Sequence, residues 1–173
     1  MSVERQTFPA DPAHAALLRM LLAQDGSTTR CCEAVSGGPV DLVLHHQTRT
    51  QTVPSDVHQH LGGTEWLQRV TTLVAHGQVM MDNLSFTRLD AVPDWFLDSL
   101  DEGTAPIGHL LNKIFVRRDR VDTSATLQAL LWTHVGQPDL NASRSYRVST
   151  PDGPLMLIFE TFRGGMVHAT PER

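Results

Sequence analysis

The sequence predicts an α+β domain, an antiparallel sheet with helices packed on one side. Two β-hairpins and one further strand, interleaved with helix-like segments, predict it. The clearer hairpin is Trp66–Ala75 with Gln78–Arg88, two β-branched, apolar arms joined across His76-Gly77. That is a two-residue turn in which glycine supplies a positive φ. The second hairpin closes the chain: residues 142–149 and 155–162 turn through Thr150-Pro151-Asp152-Gly153. Residues 40–46 read as the extra strand.

The helices are punctuated by their stops. Residues 13–24 form an amphipathic helix with Leu17, Leu18, Met20, Leu21 and Leu22 as its stripe, ended by Asp25-Gly26. Ser27 or Thr28 caps a second helix running to 35, broken by Gly37-Gly38-Pro39. Residues 47–63 are polar, contain Pro54 and Gly62-Gly63, and read as a long loop or lid. Pro93 opens a short helix over 94–100, which Asp101-Glu102-Gly103 ends. Pro106-Ile107-Gly108 leads into 109–114, a helix or a helix-to-strand junction. Residues 115–138 are ambiguous: an arginine-rich piece (Arg117, Arg118, Arg120), then a helix-like 126–132. Residues 1–13 read as a loose arm before one domain spanning 14–173.

Composition bounds the function. A chain of 173 residues, 40% hydrophobic and 19% charged, can bury a core and enclose a small ligand. A net charge of −5 argues against a nucleic-acid surface. Lys113 is the sole lysine, so an anion held here meets a planar guanidinium fork. Cys31 and Cys32 are adjacent on a helix and cannot easily bridge, which fits a reduced cytoplasmic protein. No run approaches the roughly 18–20 apolar residues of a spanning helix, and no leader pattern opens the chain, so no membrane partner is expected.

Most familiar chemistries find no support. His45-His46 and His58-Gln59-His60 lack partners at ligand spacing, and HExxH and CxxC are missing, so no metal is expected. Cys31 or Cys32 at a helix start could serve as a nucleophile, but the ordinary reading is core packing. GxSxG, GxxxxGK[ST] and GxGxxG are also missing. What remains is one acid and two arginines on strands. In the run 154–162, Met156, Ile158, Glu160 and Phe162 share a face, and Leu155, Leu157 and Phe159 fill the other. Glu160 therefore sits among hydrocarbon, where a carboxylate needs a partner or a cavity. Arg69 and Arg144 sit on largely apolar strand faces and need an anion, either Glu160 or the carboxylate of a ligand. Arg147 faces the other way and reads as solvated.

Four segments, in order and register, resemble the chorismate pyruvate-lyase family, including its actinobacterial branch that makes 4-hydroxybenzoate. They are Leu21 to Arg30 followed by Glu33, Trp66-Leu67-Gln68-Arg69 through Gly77, Ala105-Pro106-Ile107-Gly108-His109-Leu110-Leu111, and Arg144-Ser145-Tyr146-Arg147 through Glu160-Thr161-Phe162. The likeness spans roughly residues 14–163. It implies an antiparallel sheet of about six strands with helical flaps over an internal ligand cavity. It implies conversion of chorismate to 4-hydroxybenzoate and pyruvate with no cofactor. Arg69 would grip the ring carboxylate, Glu160 would face the ring hydroxyl end, and groups near Thr28 and Ile107 would close the flap side. Arg144 is assigned the pyruvyl side. Two features depart from the family pattern: Asp82-Asn83 stand where small residues are usual, and Thr28 where a larger apolar residue is common. Two rivals remain open, a same-fold enzyme for another cyclic carboxylate and a non-catalytic small-molecule-binding module.

Overall fold

The computed structural model describes residues 3–168. Its six strands are β1 (Asp41–Thr50), β2 (Trp66–Ala75), β3 (Gln78–Arg88), β4 (Arg117–Arg120), β5 (Ser143–Thr150) and β6 (Gly153–Phe162). They form one antiparallel sheet in the order β1-β2-β3-β6-β5-β4. The two expected hairpins are its centre and one flank. The β2–β3 turn works because His76 and Gly77 both adopt positive φ, 50° and 72°, the geometry whose twist matches the flanking strands. Strands β2, β3 and β6 are buried along nearly their whole length.

Seven helices surround the sheet among the described residues: α1 (Pro12–Ala23), α2 (Thr28–Ser36), α3 (Ser55–Leu61), α4 (Asp94–Asp101), α5 (Ile107–Leu111), α6 (Ala125–Val135) and α7 (Gly165–His168). Local chemistry sets their ends. Asp11 caps α1 by accepting from the Ala13 amide at 2.8 Å, with Pro12 at the first helical position. Ser27 caps α2, and Gly37, left-handed at φ 74°, ends it. Ser124 caps α6 and also donates its hydroxyl to Asp56 of α3, which ties those two helices together.

The α+β class, the six strands and the flaps agree with the sequence expectation, but the placement of the helices on one side does not. On the first face, α1, α2 and α7 pack around Leu73, Met81 and Phe162, and α4 and α5 around Leu67, Met156 and Ile158. On the second face, α3 and α6 cover Val70, Leu84, Phe86, Leu157 and Phe159. Both faces of the central strands are apolar, so both must be covered. The same fact corrects the reading of 47–63 as a loop or lid. Residues 47–50 complete β1, and α3 buries Val57 and Leu61 on the second face. Nor do residues 3–11 behave as a loose arm. Glu4 bridges to Gln78, Thr7 bridges to Arg163, and Phe8 is buried.

A candidate ligand site on the first face of the sheet

Alternation along the strands gathers the predicted site residues. Arg69 on β2 pairs in register with Ser85 on β3, and Ser85 with Ile158 on β6. Glu160 is the next residue of β6 on that same face, opposite Asn83 of β3 and Arg144 of β5. Arg69, Arg144 and Glu160 thus share the first face, beneath α1, α2 and α5.

Glu160 is fully buried and held from three sides. Arg144 Nε donates to its Oε1 at 2.6 Å, the Thr28 hydroxyl donates to the same oxygen at 3.0 Å, and the Tyr146 hydroxyl reaches Oε2 at 3.3 Å. Arg144 spends its other nitrogens on the Thr28 hydroxyl at 3.1 Å and on the Leu22 and Gln24 carbonyls at the end of α1. Burial alone would lower the pKa of Arg144, but the charge of Glu160 beside it prevails and raises it. Of the two partners left open for Arg144, the geometry selects Glu160, and the other bonds leave this guanidinium one N–H, on Nη2. Tyr146, stacked under Arg144 with the guanidinium 5.0 Å from its ring centre, has its phenol pKa pushed up by burial and by the nearby Glu160.

Arg69 has the opposite character. It is 1% exposed, and its single hydrogen bond runs from Nη1 to the Ala105 carbonyl at 3.2 Å. Nε and Nη2 are buried without a partner. Burial with no counter-charge lowers its pKa to about 10. Beside it on the same face, Ser85 Oγ and Asn83 Oδ1 are also buried without partners. Three neighbouring side chains therefore present unsatisfied polar atoms to one interior, where native proteins normally leave very few.

A cleft begins at the Asn83 end of this row, and neither Ser85 nor Arg69 lines it. Its wall includes Thr28, Asn83, Ile107, Tyr146 and Glu160, with Thr71, Leu73, Met81 and Ile158 as its floor and Arg118 at its side. About 30 Å³ of it is free, room for a pair of waters but not for a six-membered ring. Two short helices close it. Gly108 of α5 lies so close to α2 that a Cβ there would come within 2.3 Å of Thr29 Oγ1, and His109 meets Glu33 at 2.7 Å.

The remaining candidates fall elsewhere. His58 stacks edge-on against Trp66, and His60 approaches the Asp122 carbonyl. Cys32 is buried against Met166, and burial raises its thiol pKa well above the usual range. Asp82 turns to the second face, where Arg5 and Arg163 hold it at 3.1 and 2.7 Å. Asn83 alone of the departing Asp82-Asn83 pair meets the cleft.

A family model described as Chorismate pyruvate-lyase Rv2949c-like matches residues 22–169. The chain belongs to the Rv2949c-like chorismate pyruvate-lyase family. Both closing helices, and Arg69, Asn83, Ser85, Arg144, Tyr146 and Glu160, fall within the stretch that matches this family. Among solved structures, the effector domain of PhnF from Mycobacterium smegmatis is similar at 17% identity over 80% of this chain and 89% of that one, with a TM-score of 0.52. The C-terminal domain of the histidine utilization repressor from Pseudomonas syringae pv. tomato is similar at 14% identity over 78% and 97%, with a TM-score of 0.49. At 17% identity the PhnF likeness shows a shared fold and nothing of function. A comparison with curated proteins finds no match. Among the described residues of this family member, no helix is long and apolar enough to cross a membrane.

Sequence reasoning gave Tyr146 and Ser85 no role, and marked Asn83 only as a departure from the family pattern. For Tyr146 a signal existed, since it shares the strand face of Arg144. Ser85 is an ordinary polar residue on a hairpin, and only the missing partner marks it.

Proposed function

We propose that the chain is a chorismate pyruvate-lyase acting without a metal or redox cofactor, its ligand enclosed between the first sheet face and helices α2 and α5. The observation that carries this reading is Arg69, a buried cation with two unpaired nitrogens and no acid beside it. Such a group is costly in the empty protein, and a bidentate carboxylate satisfies it. Arg69 and Glu160 stand two strands and two residues apart, ~12 Å between Cα atoms from standard strand spacings. With both side chains turned inward, the interval suits a six-membered ring bearing a carboxylate at one end and a hydroxyl at the other. Asn83 and Ser85 offer polar atoms along it.

In the reaction the C3–O ether bond of chorismate breaks and the C4 hydrogen leaves as a proton. The ring becomes aromatic, and the departing enolpyruvate takes up a proton to become pyruvate. Atoms and electrons balance with no co-reactant, and aromatisation supplies the driving force. The protein's task is to hold the ring and exclude water, and to place Glu160 at the C4 end. Arg144, Thr28 and Tyr146 fix the Glu160 carboxylate in place, so Arg144 acts as a positioning residue. Thr28 and Ile107 close the flap side.

The test is to mix the protein with chorismate and follow pyruvate and 4-hydroxybenzoate. Stoichiometric release of both is expected, lost on Glu160→Gln and on Arg69→Ala. Undiminished pyruvate release by Glu160→Gln removes that residue from the mechanism. Chorismate binding without turnover makes the chain a binding module, and no binding makes it an enzyme of another cyclic carboxylate.

A further inference from the structure

The short edge strand β4 sorts its charges by face. Arg117 and Asp119 point to the second face, where Asp119 accepts from Arg117 at 2.9 Å and lies 3.9 Å from Arg147. Arg118 and Arg120 point to the first face, in register with Val148 and Tyr146. The strand's only acid is thus consumed on the far side. Arg118, half-buried, makes no side-chain hydrogen bond or ion pair among the described residues. It lines the cleft that holds Glu160, and with Tyr146 it also lines an adjoining second cleft. The second cleft is completed by Arg120, Arg144, Ser145, the end of α1 and, just past it, the exposed Asp25, which bonds to neither β4 arginine.

We propose that Arg118 receives the enolpyruvyl carboxylate of the substrate, with the second cleft taking the departing three-carbon acid. The inference rests on the lyase reading above and deepens it. The chemistry of the dianion dictates where a second cation must stand. If the ring carboxylate lies at Arg69 and the C4 hydroxyl at Glu160, the ether at C3 projects next to the Glu160 end, away from Arg69. Across the sheet the order is Arg69 on β2, Glu160 on β6, Tyr146 on β5 and Arg118 on β4. The free guanidinium therefore lies on the side that C3 demands, while Arg144 is committed to Glu160. As the C3–O bond breaks, the electron pair passes to the enolpyruvyl oxygen. A neighbouring guanidinium stabilises that developing charge as well as the carboxylate.

The experiment compares a dicarboxylate with a monocarboxylate. Chorismate turnover and 4-hydroxybenzoate binding are measured for the unaltered protein, Arg118→Gln, Arg118→Lys and, as a control, Arg120→Gln, at a residue that lines the second cleft but not the one holding Glu160. Arg118→Gln should lower kcat/KM for chorismate by about 10- to 100-fold, the range for one charge-assisted contact, while 4-hydroxybenzoate binds unchanged. Unchanged product binding also shows the site intact. Arg118→Lys should recover part of the loss. Full activity in Arg118→Gln overturns the inference and leaves the lyase reading standing. Equal losses in Arg118→Gln and Arg120→Gln also overturn it, since that is the signature of a general field rather than a contact. An unaltered protein inert to chorismate overturns the lyase reading, and this inference with it.

Discussion

Arg69 and Arg144 are both buried strand arginines, yet their environments give them opposite energetics. Arg144 is neutralised by Glu160 and satisfied by carbonyls, so removing it strands a buried carboxylate. Arg69 has no such compensation, and burial lowers its pKa from the ordinary arginine value to about 10. A base whose folded pKa is depressed costs stability at every pH below that value. Only above about pH 10 does the folded state shed a proton that the unfolded chain keeps, so the full cost is present at neutral pH. Of order 1–3 kcal/mol is stored there. Arg69→Met should therefore abolish carboxylate binding while raising the melting temperature of the ligand-free protein by several degrees. Calorimetry with and without 4-hydroxybenzoate checks both halves, and a lower melting temperature would show that Arg69 is structural. The cysteines give a second readout. Burial raises both thiol pKa values, so less thiolate is present at pH 8 than in a free thiol. Alkylation of Cys31 and Cys32 in the folded protein should be slower than in the unfolded chain and should still be accelerating above pH 9.

At the level of elements, the contact of α2 with α5 closes over the cleft. The free volume of about 30 Å³ means a ring enters only if these helices part. Gly108 permits their close approach, with Thr29 and Ser27 side chains within 3 Å of where its Cβ would stand. Gly108→Ala should wedge them apart and speed 4-hydroxybenzoate exchange, raising koff by about tenfold or more if the wedge costs ~1.4 kcal/mol of closure. Stopped-flow displacement measures it, and unchanged koff would place the entrance elsewhere. Alternation of apolar residues and the turn chemistry of His76-Gly77 made the hairpins legible in the sequence. Helix α3 was not, because seven residues carrying His58 and His60 show too little apolar periodicity to separate from loop. Arg69 and Glu160 stood out because charge is rare on a buried strand. The partner of Arg144 did not, since Glu160 and a ligand carboxylate satisfy the same guanidinium equally well and only packing decides.

The whole molecule keeps two ionic systems apart on opposite faces of one sheet, and consecutive residues of β3 divide between them. Asn83 faces the cleft, whereas Asp82 faces the second side, where it is fully buried and accepts from Arg163, Arg5 and the Thr72 hydroxyl at 2.7, 3.1 and 2.5 Å. Arg163 follows β6 and Arg5 lies beside the bridge of Glu4 to Gln78, so one carboxylate pins both ends of the described chain to the central strand. The departure from the family pattern at Asp82 is thus a matter of architecture, and at Asn83 a matter of the ligand. Two substitutions at adjacent positions should accordingly give different phenotypes. Asp82→Ala leaves the guanidinium of Arg163 buried and uncompensated, which should cost about 3–5 kcal/mol and lower the melting temperature by roughly 6–20 °C. The folded fraction should still bind 4-hydroxybenzoate normally, because the sheet lies between that cluster and the cleft. Asn83→Ala removes a buried acceptor that has no partner in the empty protein. It should leave the melting temperature within about 1–2 °C, since no existing bond is broken, and weaken ligand binding instead. Melting curves and titration calorimetry on the two variants separate the cases. Weakened binding in Asp82→Ala at a temperature where it is fully folded would show that the two faces are coupled through β3.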